Sequence, residues 1–192
     1  MEIQWGSGDC HDGVGERGFV VERAGAAIPG MCWAPAEPVE GPRPLVLMGH
    51  GGSGHKANDR MRMLGQWCAG RFGWRAVSID GPVHGDRGPV RESTDPAYRA
   101  MWRSGDPVEG MRADWTAVLD AFVSLDDVDA QRIGYWGVSM GTMFGLPFVA
   151  NEPRIKAAVL GKAGMSGSSV ARSGIDRHFR IHASRLRIPV LF

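Results

Sequence analysis

From residue 45 onward, short uninterrupted apolar runs alternate with stretches whose apolar residues recur every three or four positions. Leu45-Val46-Leu47-Met48 has no polar interruption, which suits a strand covered on both faces. Ala57, Met61, Leu64, Cys68 and Phe72 then follow helical spacing, and Gly73 stops them. A second strand is expected over residues 75–80. Val108, Met111, Trp115, Val118, Leu119 and Phe122 form another helical stripe. Strands are expected over 133–138 and 155–160, with an apolar helix from Met140 that Pro147 kinks or shortens. Residues 169–186 read as partly helical, and 188–192 begin one more strand. This alternation predicts a single α/β domain over 1–192, a three-layer fold around a mostly parallel sheet.

Upstream, Phe19-Val20-Val21 and the run from Ile28 to Trp33 are strand candidates joined through Gly25, a hairpin. Residues 1–17 look like a loose, polar, glycine-rich arm, and four prolines between Pro35 and Pro44 mark a connection. Residues 81–107 form a long loop rich in glycine, proline and charge, of the kind that lies near a site, with a helical turn around Tyr98 to Trp102.

The net charge of +1 leaves no electrostatic footprint for nucleic acid. Cys10, Cys32 and Cys68 lack paired spacing and read as reduced thiols. The start lacks the basic-then-apolar pattern of a signal peptide, and no apolar run is long enough to span a bilayer. A cytoplasmic protein with no membrane partner is the expectation.

Gly137-Val138-Ser139-Met140-Gly141 fits Gly-x-Ser-x-Gly at the end of an apolar strand and the start of a helix. A turn that sharp needs its flanking glycines and lifts the Ser139 hydroxyl above the sheet edge, where unsatisfied helix N–H groups can stabilise an oxyanion. The plain alternative is an N-cap serine. His50-Gly51-Gly52 follows the first parallel strand, and a glycine pair there lets backbone approach a carbonyl oxygen. The Gly52 and Met140 amides are the expected oxyanion donors. Gly137, Gly141 and Gly51 support the turns, and His50 anchors loop geometry rather than serving as base.

With these motifs the chain resembles the α/β-hydrolase superfamily, nearest its dienelactone-hydrolase-like esterase branch, over about residues 19–192. Asp80-Gly81-Pro82-x-His84-Gly85 belongs to the same resemblance. It implies a serine hydrolase that acts on a small or medium carboxylic ester, lactone or thioester through an acyl-enzyme on Ser139. No cofactor or metal is required, because the donors are backbone and the nucleophile is a side chain. Dienelactone hydrolases use a cysteine nucleophile, and Ser139 shifts the expectation toward general esters. His84, Tyr98 and Trp102 are candidates for the pocket.

The resemblance also implies a triad acid and histidine beyond Phe192. The chain therefore reads as a fragment of weak or no activity, or else as a short form whose exposed sheet edge pairs in a homo-oligomer. Substitutes within the chain are poor: His178 and His182 share a helix face with Asp176 nearby, Asp80 and Asp86 read as loop anchors, and Asp9-Cys10-His11 has chance value as a ligand set.

Two other functions compete. Gly49, Gly51 and Gly54 also satisfy Gly-x-Gly-x-x-Gly, with Asp80 at the end of the next strand, as in a dinucleotide-binding oxidoreductase-like domain. Asp80 is too far along the chain for that motif, and Ser139 is left unexplained. A non-catalytic α/β-hydrolase-like interaction module is the third reading.

Overall fold

The computed structural model describes residues 2–38 and 40–192. Among them lie eight strands of one sheet: β1 (Ile3–His11), β2 (Val14–Arg23), β3 (Ala26–Pro35), β4 (Arg43–Gly49), β5 (Arg75–Ile79), β6 (Val128–Val138), β7 (Ile155–Gly161) and β8 (Val190–Leu191). Six helices join them: α1 (Asp59–Phe72), α2 (Pro96–Met101), α3 (Pro107–Val123), α4 (Met140–Val149), α5 (Ser168–Ser173) and α6 (Ile175–Ala183). The strand order is β1-β2-β3-β5-β4-β6-β7-β8. The β1/β2, β2/β3 and β3/β5 pairs are antiparallel, and the other four, from β5/β4 to β7/β8, are parallel.

The apolar runs are uninterrupted because both faces are covered. In β4, Leu45 and Leu47 enter the larger core with residues of α3, α4 and α6. Val46 and Met48 point the other way, against Met61, Leu64 and Cys68 of α1. This is the period of two expected for a strand between helical layers. Asn58 caps α1 by accepting from the Met61 amide at 3.1 Å, and Gly73 ends it in a left-handed conformation.

The expected loose arm at residues 1–17 is instead β1, the linking turn and the start of β2. Asp12 (φ 50°) and Gly13 (φ 75°) are both left-handed, the two-residue turn that matches strand twist. Ala24 (φ 50°) and Gly25 (φ 77°) repeat it between β2 and β3. β1 looks polar because it is an edge strand, exposed along most of its length. Trp5 anchors it by packing edge-on against Phe19 and Phe122. The long 81–107 loop contains α2, whose N-cap Asp95 accepts from Ala97 at 2.8 Å, and a short 3-10 turn over Gly85–Arg87. No helix among the described residues is long and apolar enough to cross a membrane.

Candidate active site

The register of three parallel strands builds the site. Gly49 pairs with Gly137, and Val138 pairs with Gly161, so β4, β6 and β7 end side by side. Their next residues are His50, Ser139 and Lys162, which form one row at the carboxyl edge, where parallel sheets bind ligands.

Ser139 sits between β6 and α4 with φ 54° and ψ −113°, a conformation that a non-glycine residue holds only under strain. Its N–H donates to Gly161 O at 2.8 Å, and its carbonyl accepts from the Thr142 and Met143 amides at 2.9 Å each. The Thr142 hydroxyl bridges Gly137 O (2.9 Å) and Gly161 O (2.7 Å). No capping bond ties down the Ser139 side chain, so this is not an ordinary N-cap serine. The turn closes by direct backbone contact: a β-carbon at Gly141 would stand 2.1 Å from Gly49 O. Tyr135 plugs the space beneath, its hydroxyl donating to Gly141 O at 2.7 Å in a fully desolvated position that pushes the phenol's pKa strongly upward. The sequence signal for Tyr135 was Gly145, where a β-carbon would lie 2.2 Å from its ring. Ser78, a second buried serine, lies within β5 at 0% exposure, out of reach of any substrate.

The neighbouring glycine turn is held by side chains. The Gly81 amide donates to His50 Nε2 at 2.9 Å, which leaves Nδ1 to carry the ring proton and donate to Gly51 O at 2.8 Å. Gly51 O and the Gly52 N–H belong to one planar peptide and point in opposite directions, so His50 sets the direction of that N–H. Burial first, and the facing His84 ring as a further contribution, depress the His50 pKa to about 4, which keeps the ring neutral. A β-carbon at Gly51 would lie 3.9 Å from Ser139 Cβ, so the two turns touch.

His84 is fully buried, with Nε2 3.1 Å from Gly52 O and Nδ1 2.7 Å from Pro82 O. Asp80, also at 0% exposure, accepts from the Lys56 amide (2.8 Å), Lys56 Nζ (2.8 Å) and the Asp86 amide (2.9 Å). Burial alone would lower the Lys56 pKa, but the bonds to Asp80 and Asp86 outweigh it and raise the value. Asp80 and Asp86 are thus anchors of the loop.

A cleft of about 250 Å³ opens beside Ser139, lined by Met143, Lys162, Ala163, Ser166 and Val170 among others. His84, Tyr98 and Trp102 do not line it, contrary to expectation. Their rings continue in an edge-to-face series from His50 to Trp102, which then stacks on Phe144 at 4.9 Å, and this makes them a buried wall. His178 and His182 do share a face of α6, their rings stacked 6.2 Å apart, but they line a separate hollow with Arg177 and Glu109. Asp9, Cys10 and His11 are exposed on β1. Among the described residues no group of three or more His, Cys, Asp or Glu could hold a metal.

The dinucleotide alternative fails on this geometry. Asp80 is enclosed by Lys56 and Asp86, and α1 starts at Asp59 under its own Asn58 cap rather than at the glycine turn.

A strained serine between a parallel strand and a helix, beside a glycine turn on the next strand, is the architecture of an α/β hydrolase. The chain is 36% identical to a cold-adapted esterase from an Arctic intertidal metagenomic library, in its PEG-bound complex, with a TM-score of 0.82 over 97% of this chain and 75% of that one. The native structure of such an esterase gives 33% identity and a TM-score of 0.75 over 97% of this chain and 73% of that one. A dienelactone hydrolase-like promiscuous phosphotriesterase, P91, from metagenomic libraries shares the fold at 18% identity and a TM-score of 0.63, over 93% of this chain and 82% of that one. Among curated proteins, quorum-quenching protein AidA of Acinetobacter baumannii (strain MDR-ZJ06) is 29% identical over 120 residues, 60% of this chain. The chain spans about a third of that relative's length, 34%. No family model matches. The chain belongs to the α/β-hydrolase superfamily and has the esterase fold of its dienelactone-hydrolase-like branch.

Proposed function

We propose that this protein is a serine hydrolase of small or medium carboxylic esters, with Ser139 as the nucleophile. The observation that carries the reading is the strained Ser139 conformation at the strand-to-helix turn, with its side chain free of any cap bond. Its hydroxyl attacks the ester carbonyl, the carbonyl π electrons move onto oxygen, and the Gly52 and Met140 amides receive that oxyanion. The intermediate collapses to an acyl-enzyme with loss of the alcohol, and water then releases the acid. His50 is a positioning residue, acting through the Gly51–Gly52 peptide. A base must take the Ser139 proton, and no histidine lines the cleft among the described residues. The resemblance calls for an acid and a histidine, which the described residues do not bring to this cleft.

The test is therefore run on the complete polypeptide beside the 192-residue chain. A fluorophosphonate probe and a short-chain aryl ester are applied to each, with Ser139→Ala as control. Labelling and turnover that both vanish in Ser139→Ala support the reading. The 192-residue chain should be slower by about 10⁴-fold or more, the cost of a lost triad member. If the complete polypeptide neither labels nor turns over, the protein is a non-catalytic module. If the short chain matches the long one, the base is present within it, and His84, His178 and His182 are the first to mutate.

A further inference from the structure

We propose that Lys162 determines specificity, drawing to Ser139 esters that carry a carboxylate close to the reacting carbonyl. This rests on the serine-hydrolase reading and names the substrate class for the same site.

Four observations converge. The β6/β7 register pairs Val138 with Gly161, the residues that lead directly into Ser139 and Lys162. The peptide that leads into it is pinned to the nucleophile turn, because Gly161 O accepts both the Ser139 amide at 2.8 Å and the Thr142 hydroxyl at 2.7 Å. Lys162 itself has φ 54°, a left-handed conformation that glycine or asparagine would adopt at lower cost. A residue held there under strain next to a nucleophile is kept for its side chain rather than its backbone. Lys162 also lines the cleft that holds Ser139, and among the described residues no carboxylate lines it.

The chain has three lysines, and the other two are accounted for. Lys56 is tied to Asp80 and Asp86, and Lys156 donates to the Pro153 carbonyl at 3.3 Å. Lys162 has no ion pair or hydrogen bond among the described residues. Its charge has the same sign as the partial charge at the N-terminus of α4, which ends in the same cleft. Lys162 is exposed at the mouth of this cleft, and the two positive ends together favour a negative group over a neutral one. A carboxylate on either the acyl or the alcohol portion would meet it, and the two are separable by experiment.

The experiment uses the complete polypeptide, with Lys162→Met and Lys162→Arg. On the acyl side, mono-4-nitrophenyl succinate is compared with 4-nitrophenyl acetate. On the alcohol side, 3-carboxyphenyl acetate is compared with phenyl acetate. In one arm the ratio of kcat/KM for the anionic to the neutral ester should fall about tenfold or more in Lys162→Met, the loss of one charge-assisted hydrogen bond, and recover in Lys162→Arg. Unchanged ratios in both arms would overturn the proposal.

A readout that needs no turnover separates this from the serine chemistry. Monomethyl succinate is titrated against the amide resonances of residues 139–142 and 161–163, and its binding should weaken in Lys162→Met. If Ser139 fails to label yet that binding depends on Lys162, the anion site stands and the hydrolase reading falls. If Ser139 labels normally and binding is indifferent to Lys162, the reverse holds.

Discussion

The two turns that meet at the site are held by opposite means. The nucleophile turn is built by removing side chains: Gly141 lets two backbones touch, and Gly145 admits the Tyr135 ring. The glycine turn on β4 is built by adding them: His50 and His84 each bring a ring nitrogen to one of its two carbonyls, and Lys56 with Asp80 locks the flank. Close backbone contact makes a rigid turn that tolerates no substitution. Side-chain bonds make one whose direction responds to the chemistry of an imidazole.

The comparison breaks most sharply at Gly141. A methyl group in Gly141→Ala would press on Gly49 backbone with no flexible neighbour to yield, and should destabilise by about 3 kcal/mol or more while erasing Ser139 labelling. Chemical denaturation beside probe labelling checks it. His50→Phe keeps a ring but loses both bonds, and should lower kcat of the complete polypeptide by about 10²-fold, as for a displaced oxyanion donor, with KM less affected.

The third test is pH. The His50 pKa is depressed to about 4 in the folded protein, against 6.5 ordinarily, so the unfolded chain takes up that proton first. Its contribution to stability is present above about pH 6.5 and is lost as pH falls toward 4. Denaturation midpoints across this window should decline, and His50→Gln should flatten the slope. A slope unchanged in the variant assigns the acid sensitivity elsewhere.

Thr142→Val removes the hydroxyl that bridges Gly137 and Gly161 but leaves the Ser139 amide bond, and should cost about 1–3 kcal/mol for the acceptors left buried. Smallest of all is Gly164→Ala. A β-carbon there meets nothing within 4 Å, and the change should stay within about 0.5 kcal/mol by thermal unfolding.

The parallel strands and both turns were legible because each leaves a local mark: an unbroken apolar run such as Leu45 to Met48, or glycines flanking Ser139. What escaped was non-local. β1 reads as polar because its partner lies on one side only, although Asp12-Gly13 was a hairpin signal in plain view. Tyr98 and Trp102 looked like pocket residues since aromatics in a loop suit a pocket, yet α2 and its C-cap turn them against His84 and Phe144. Lys162 carries no motif. Only the β6/β7 register brings it to Ser139, and register is a property of paired strands rather than of either alone.

The row formed by His50, Ser139 and Lys162 joins residues as much as 112 positions apart, with His84 brought in from yet another crossover. No collapsed intermediate with local helices alone possesses it, since loops of that length close late. Covalent capture of Ser139 by an activated phosphonate is therefore a clock for assembly: during refolding, label should accumulate only after the β4-β6-β7 pairing is complete, in step with native tertiary fluorescence of Trp115 and Trp136 rather than with recovery of helix.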